Sequence, residues 1–370
     1  MKVTESRTGH RISSWLRRTW YATLPVSPPW PLSLALPLAA RLYGKGLQHH
    51  QNRRRRRQRG LPAFVISVGN LVVGGTGKTP FTLWLADHLH ALGWNSAILS
   101  RGYKRRDKAI ARVPPGAQSL QEVLGFGDEA VLMARKAQPV SVWVGKDRLS
   151  SGNQAVETDG ADILILDDGF QHLVLERNLD LVLLDAQNPF GNGSLLPLGP
   201  LREPVVHLQR ADAIVLTRAE DPQKTINTRL TMNRLFPGKP VFSCVHRVSE
   251  LNLGFGAHRM PLEALRGKKA IAFAGIARPD SFTHVLRAAG IVVAQSFDFP
   301  DHYQYRGADM AMLLDAMKKH HTSFIITTEK DLVRVPSEFQ SFVLAAVLEL
   351  DFLAEHQAFS LYLQERLPPR

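Results

Sequence analysis

An α/β chain with a doubly wound, mostly parallel sheet, a second, smaller α/β domain and an N-terminal helical segment is the fold class that the 370-residue sequence predicts. Three observations carry that expectation. "AFVISVGN" is a near-continuous apolar run, as in a strand buried on both faces, and it leads through "LVVGGTGKT" into helical periodicity. Five more apolar runs follow, each ending in polar residues. After about residue 222 a shorter β-α-β-α-β pattern begins. The expected division is an N-terminal segment at 1–60, a nucleotide-binding domain at 61–221 and a closing α/β domain at 222–370.

The N-terminal segment holds most of the chain's charge. The net charge is +13, yet residues 1–60 carry 13 Lys and Arg against Glu5 alone, so residues 61–370 carry 33 against 32 acids. The body is therefore not expected to bind nucleic acid. Between Arg18 and Arg41 lie 22 uncharged residues, long enough to span a bilayer, but five prolines oppose one straight helix. Trp15, Trp20, Tyr21, Trp30 and Tyr43 suit a membrane–water interface, and "RRRRRQR" from Arg53 to Arg59 suits an anionic leaflet. A membrane-associated segment is expected, against the alternative of a soluble helix with a solvated Arg run. The single cysteine, Cys244, excludes an internal disulfide and reads as a buried small side chain.

"GGTGKT" between a strand and a helix has the context of a P-loop. Gly74, Gly75 and Gly77 allow close backbone approach, and the amides of the loop, Thr76 included, face a phosphate. Lys78 would reach the β- and γ-phosphates and Thr79 would hold Mg²⁺. The glycine that commonly opens such loops is replaced by Val72, so the loop is of the variant kind seen in MinD/ParA-type ATPases. Many of those carry a signature lysine where this chain has Val73, which opposes the alternative of a membrane-localising ATPase switch.

The following strands end in Ser100, Arg101, Gly102 and Tyr103; in Lys146 and Arg148; and in Asp167 and Asp168. Ligands of doubly wound sheets gather at such strand ends. An acidic residue after an apolar strand is the usual Mg²⁺ partner of a P-loop, whereas the bland reading is a helix cap.

Nine short motifs then occur in order: "GNLVVGGTGKTP", "LSRGYKR", "FGDEA", "VGKDR", "LDDGFQH", "LLPLGPLREP", "FAGIARP", "FPDHYQY" and "TTEKDLVR". Together they resemble the lipid A 4′-kinase (tetraacyldisaccharide 4′-kinase) family. The resemblance implies ATP- and Mg²⁺-dependent phosphorylation of the 4′-hydroxyl of a tetraacylated glucosamine disaccharide-1-phosphate. It also implies work at the cytoplasmic face of a bacterial inner membrane, with a monomer expected. By position it implies that Arg101 and Tyr103 lie near the nucleotide and that Asp128 is a general base paired with His302. It further implies that Glu129, Asp167 and Asp168 serve the metal, and that Arg202 and Glu203 serve the acceptor, with Lys146 and Arg148 of "VGKDR" also expected on the substrate side. Independently, "GFGDEA" places Asp128 at a helix start, where the bland alternative is an N-cap.

Overall fold

The computed structural model describes residues 19–21, 32–103, 105–117, 120–254, 258–276 and 278–369. Residues 22–31 of the expected N-terminal apolar segment, Trp30 among them, and Trp15 before it lie outside the described residues.

Helix α1 (Leu32–Arg55) precedes a sheet that starts with β1 (Phe64–Asn70), followed by α2 (Lys78–Ala91), β2 (Ser96–Ser100) and β3 (Ala111–Arg112). Next come α3 (Leu120–Phe126), α4 (Asp128–Lys136), β4 (Ser141–Val144), α5 (Arg148–Asp159), β5 (Ile163–Asp167), β6 (Leu179–Asp185) and β7 (Ala213–Thr217). After α6 (Pro222–Leu235) the sheet ends with β8 (Val241–Ser243). Its order is β3-β4-β2-β5-β1-β6-β7-β8, parallel except for β3. The alternation of strand side chains is legible in the two cores. Ile66, Val68, Ile98, Ile163 and Ile165 pack on one face, while Val65, Ala97, Leu99, Leu164 and Leu166 pack on the other. Both faces are covered, as the unbroken apolar runs require.

The second sheet comprises β9 (Val245–Leu253), β10 (His258–Pro261), β11 (Lys269–Ala274), β12 (Val292–Asp298), β13 (Ile325–Thr328) and β14 (Leu344–Asp351). Its order is β10-β9-β14-β13-β11-β12; β11 to β14 run parallel and β9 and β10 antiparallel. Helices α7 (Pro279–Ala288) and α8 (Gly307–His320) pack on opposite faces, because Phe282 and Leu286 join one core cluster and Met310 and Leu313 the other. The short α9 (Glu329–Leu332) and α10 (Ser337–Gln340) follow β13, and α11 (His356–Arg366) ends the chain.

The expected boundary at residue 221 is displaced. Strand β8 pairs with β7, so the larger sheet continues to Ser243 and the two sheets part at the buried Cys244. Burial pushes the Cys244 thiol far up, in keeping with an inert packing role. Helix α11 then returns to the first unit: Phe359 and Leu363 join the core that holds Phe81 of α2. Phe359 and Phe81 have ring centroids 6.0 Å apart, so the two units share apolar contact as well as chain connections.

Among the described residues no helix is long and apolar enough to cross a membrane. Helix α1 absorbs Pro37 and runs through Arg53, Arg54 and Arg55. It lies against the larger unit, with Tyr43 donating to the Arg202 carbonyl at 2.9 Å and Arg54 donating to that of Gln171. Its outer side exposes Leu34, Leu38 and Leu42, which are 72%, 59% and 62% accessible.

Candidate active site

The glycine loop between β1 and α2 is braced from several sides. Gly74 and Gly77 adopt φ of 125° and 80°, in the region that favours glycine, and Gly77 caps α2. Asn70, at the end of β1, donates to Thr76 Oγ1 at 2.9 Å. Thr217, at the end of β7, donates to the Thr76 carbonyl at 3.0 Å. Arg218 donates to the Gly75 carbonyl, and Tyr21 donates to that of Val73. The carbonyls of Val73, Gly75 and Thr76 are thus engaged by side chains, and Gly77 leads into the α2 N-terminus, which carries positive potential of the kind that holds a phosphate. Lys78 and Thr79 open that helix.

The acidic pair sits beside this loop. Asp168, at φ 54°, turns its carboxylate to Lys78 at 3.5 Å and to Arg202 at 2.9 Å. Burial opposes its ionisation, but the two cations hold its carboxyl well below the ordinary range. Asp167 is different. Its Oδ1 is buried without a hydrogen-bond partner. Burial, with the like charges of Glu129 and Asp168, pushes its carboxyl up to about 7. The nearby charges of Lys78 and Arg148 offset its burial only in part. Its neighbour Glu129 is a hard oxygen donor of the kind that Mg²⁺ takes, and Thr79 at the start of α2 carries another. Among the described residues no three His, Cys, Asp or Glu side chains form a ready-made metal cluster. The residues fit an ion that also draws ligands from phosphate and water, as Mg²⁺ commonly does.

Across the cleft, the two units meet at Asp128 and His302. Asp128 opens α4 after Gly127, and His302 sits on the loop after β12 at φ 62°. The His302 Nδ1 lies 2.7 Å from Asp128 Oδ2 although 174 residues separate them. Burial raises the Asp128 pKa, but the histidine bond and the Lys330 and Arg334 charges outweigh it and bring it to about 2. The Tyr103 ring lies 5.4 Å from that of His302. The neighbouring Glu129 accepts from Lys330 at 2.9 Å.

Several expected residues stand differently. Arg148 is buried; its guanidinium donates to the Gly145 and Asp167 carbonyls, supporting the end of β5 rather than lining open cleft. Burial lowers its pKa to about 10. Glu203 is fully buried and its carboxylate is taken up by Arg210 at 2.8 Å and His207 at 2.7 Å. It anchors the loop that carries Arg202 and does not present itself to an acceptor. Arg101 and Lys146 are exposed at the strand ends as expected. Arg218, Arg278, His246, Lys330 and Arg334 were not singled out from the sequence. Arg218 and Arg278 both bind the buried Asp185, drawing the loop after β11 towards the phosphate loop. The motifs "FAGIARP" and "TTEKDLVR" contain three of the five, and that was the available signal.

A glycine loop at a helix N-terminus, carboxylates at adjacent strand ends and an Asp–His pair closing from a second unit define a P-loop phosphotransferase. Comparison with known proteins agrees. The family described as tetraacyldisaccharide-1-P 4′-kinase matches residues 30–368. A tetraacyldisaccharide 4′-kinase of Syntrophobacter fumaroxidans is 46% identical over 353 residues, covering 95% of this chain and 93% of that one. One from Syntrophus aciditrophicus is 39% identical, covering 86% and 88%. The crystal structure described as the "apo" form of LpxK from Aquifex aeolicus in complex with ATP superposes with a TM-score of 0.72 at 32% identity, covering 90% of this chain and 99% of that one. The chain belongs to the tetraacyldisaccharide 4′-kinase family, and its activity is 4′-phosphorylation of a lipid A precursor.

Proposed function

We propose that the phosphoryl donor is ATP and that the residues at the cleft divide the work as follows. The loop amides and Lys78 grip the triphosphate, with Lys78 leaving Asp168 for the β- and γ-phosphates. Thr79, Asp167 and Glu129 would hold Mg²⁺, with Asp168 alongside; the ion supplies neutralisation of phosphate charge. Arg202 stays at the rim of the same pocket, where it can face an anionic acceptor. Phosphoryl transfer asks chiefly for such positioning and neutralisation.

Asp128 accepts the proton of the sugar hydroxyl as that hydroxyl's oxygen bonds to the γ-phosphorus and the bond from the γ-phosphorus to the β,γ-bridging oxygen breaks, releasing ADP. His302 orients the carboxylate through its 2.7 Å contact and is placed to take the proton onward. The observation that carries this reading is that contact, which completes only when the second unit meets the first. Water is kept from the phosphoryl group by the same closure.

The membrane reading rests on α1. Its exposed row of leucines lies on a helix that ends in consecutive arginines, the pattern of an element lying in the interfacial plane of an anionic leaflet. We place the kinase at the cytoplasmic face of the inner membrane, where ATP and the lipid acceptor are both available.

The test is transfer of labelled γ-phosphate from ATP to purified tetraacyl disaccharide-1-phosphate. Asp128→Asn should lower kcat by about two or more powers of ten, within the general-base range, with ATP affinity little changed. A normal kcat in that variant would leave Asp128 only a first-turn carboxylate of α4.

A further inference from the structure

Arg334 is the buried cation nearest the reacting groups that has no role in the scheme above. Its side chain is fully inaccessible. Nη2 donates to the Asp331 carboxylate at 2.5 Å and to the Gly275 carbonyl at 3.1 Å. Nε donates to the Lys330 carbonyl at 3.3 Å and lies 3.7 Å from Asp128 Oδ2, the same oxygen that His302 contacts, so its tie to Asp128 is one of charge.

Gly275 ties the arrangement together. Its carbonyl also accepts from the His302 amide at 3.2 Å, and its own amide donates to Asp331 Oδ1 at 2.9 Å. Tyr305 donates to the same Asp331 oxygen at 2.7 Å. A Cβ at Gly275 would meet Asp331, Pro300 and Tyr305 atoms at 3.0 Å each, so there is no slack at this point. One guanidinium therefore touches both halves of the pair: Asp128 through its carboxylate, and His302 through the carbonyl that fixes its backbone.

An arginine removed from water at such cost has a mate in Asp331, which already matches its charge. A buried ion pair alone would not need to be aimed at a third group. The planar fork allows Nη2 to hold Asp331 and Gly275 while Nε holds the Lys330 carbonyl and keeps its charge beside Asp128, which a lysine ammonium does not reproduce.

Resting on the reading of Asp128 and His302 as the proton-accepting pair, we propose that Arg334 is a positioning residue for phosphoryl transfer. It sets the Asp128 carboxylate and the His302 backbone in register between the two units. It does not touch substrate.

The experiment is a kinetic cycle on the full-length enzyme with Arg334→Gln, Arg334→Lys, Asp128→Asn and the double variant Arg334→Gln/Asp128→Asn, using ATP and the lipid acceptor. Arg334→Gln should lower kcat by roughly 10- to 100-fold while KM for ATP stays within about twofold, since the phosphate grip lies elsewhere. In the Asp128→Asn background the same change should cost less than about threefold, because groups acting as a unit are non-additive. Arg334→Lys keeps the charge and loses the fork; it should recover only part of the rate, and it carries the cycle if the Gln variant does not fold. Full multiplicative losses, or loss of folded protein with a normal kcat per folded molecule, would overturn the proposal and leave Arg334 a structural ion pair. A normal kcat in Asp128→Asn would instead overturn the reading of the pair itself, so the two failures are distinguishable.

Discussion

His246 of β9 stands against Gly77 of the phosphate loop: a Cβ placed on Gly77 would lie 2.6 Å from the imidazole Nε2. The second sheet thus braces the phosphate loop as well as supplying His302. Gly77 also adopts φ of 80°, so a side chain there is opposed by backbone and by space together. Gly77→Ala should destabilise the protein by about 1–3 kcal/mol and weaken nucleotide binding. Thermal melting with and without ATP checks this; an unchanged ligand-induced shift in melting temperature would show that the loop tolerates the displacement.

The same histidine makes stability depend on pH. Burial first, and then the Arg218 charge, lower the His246 pKa from 6.5 to about 4. The unfolded chain therefore binds this proton before the folded one as pH falls. The stabilisation is complete above about 6.5 and is lost as pH falls towards 4. His246→Gln should flatten that part of the stability profile by on the order of 1–2 kcal/mol between pH 7 and 4.5. Urea midpoints of both proteins across this range give the comparison; parallel profiles would remove His246 as the titrating group.

Lys78 contacts Asp168 at 3.5 Å and must exchange that partner for phosphate oxygens. Lys78→Ala should lower kcat by about two or more powers of ten, the scale of losing one preorganised charge-stabilising donor. The fold should survive, because Asp168 keeps Arg202 at 2.9 Å. Initial rates paired with circular dichroism decide it, and a rate near that of the parent enzyme would take Lys78 out of the mechanism.

The strands of the larger sheet were legible because burial on both faces leaves unbroken apolar runs, and the phosphate loop because its glycines answer a backbone requirement. The end of that sheet was not. Strand β8 is three residues long and pairs with β7 only after the polar helix α6, so no local signal assigns it. The candidate site divides in the same way. Lys78 stood in a loop whose chemistry can be read from its own residues, whereas the pairing of Asp128 with His302 came only with the family resemblance, since 174 residues separate them. Lys330 and Arg218 carry no local signal of their contacts, because their partners Glu129 and Gly75 lie 201 and 143 residues away. Glu203 misled for the opposite reason: the resemblance pointed it at an acceptor, but its carboxylate is spent on Arg210 and His207.

Helix α1 has two sides with different surroundings, which makes the proposed membrane role separable from its packing. Tyr43 and Arg54 face the larger unit, where Tyr43 holds the Arg202 carbonyl. Leu34, Leu38 and Leu42 recur at every fourth residue on the outer side, and Arg53, Arg55, Arg56 and Arg57 are exposed near the helix end. Deleting residues 1–60 would disturb both sides at once, so point variants are the cleaner probe. Changing the four exposed arginines to Gln should remove about 1 kcal/mol of attraction per residue to an anionic surface and abolish most of its salt dependence. Changing the three leucines to Gln should weaken binding to anionic and zwitterionic vesicles alike, since it removes buried apolar area rather than charge. Neither set should alter the rate on acceptor dispersed in detergent, because neither touches Tyr43 or Arg54. Vesicle sedimentation at low and high salt, paired with the detergent assay, reads all three effects. Unchanged sedimentation in both variants would move the membrane contact away from α1, and a lost detergent rate would mean that its outer side supports the fold.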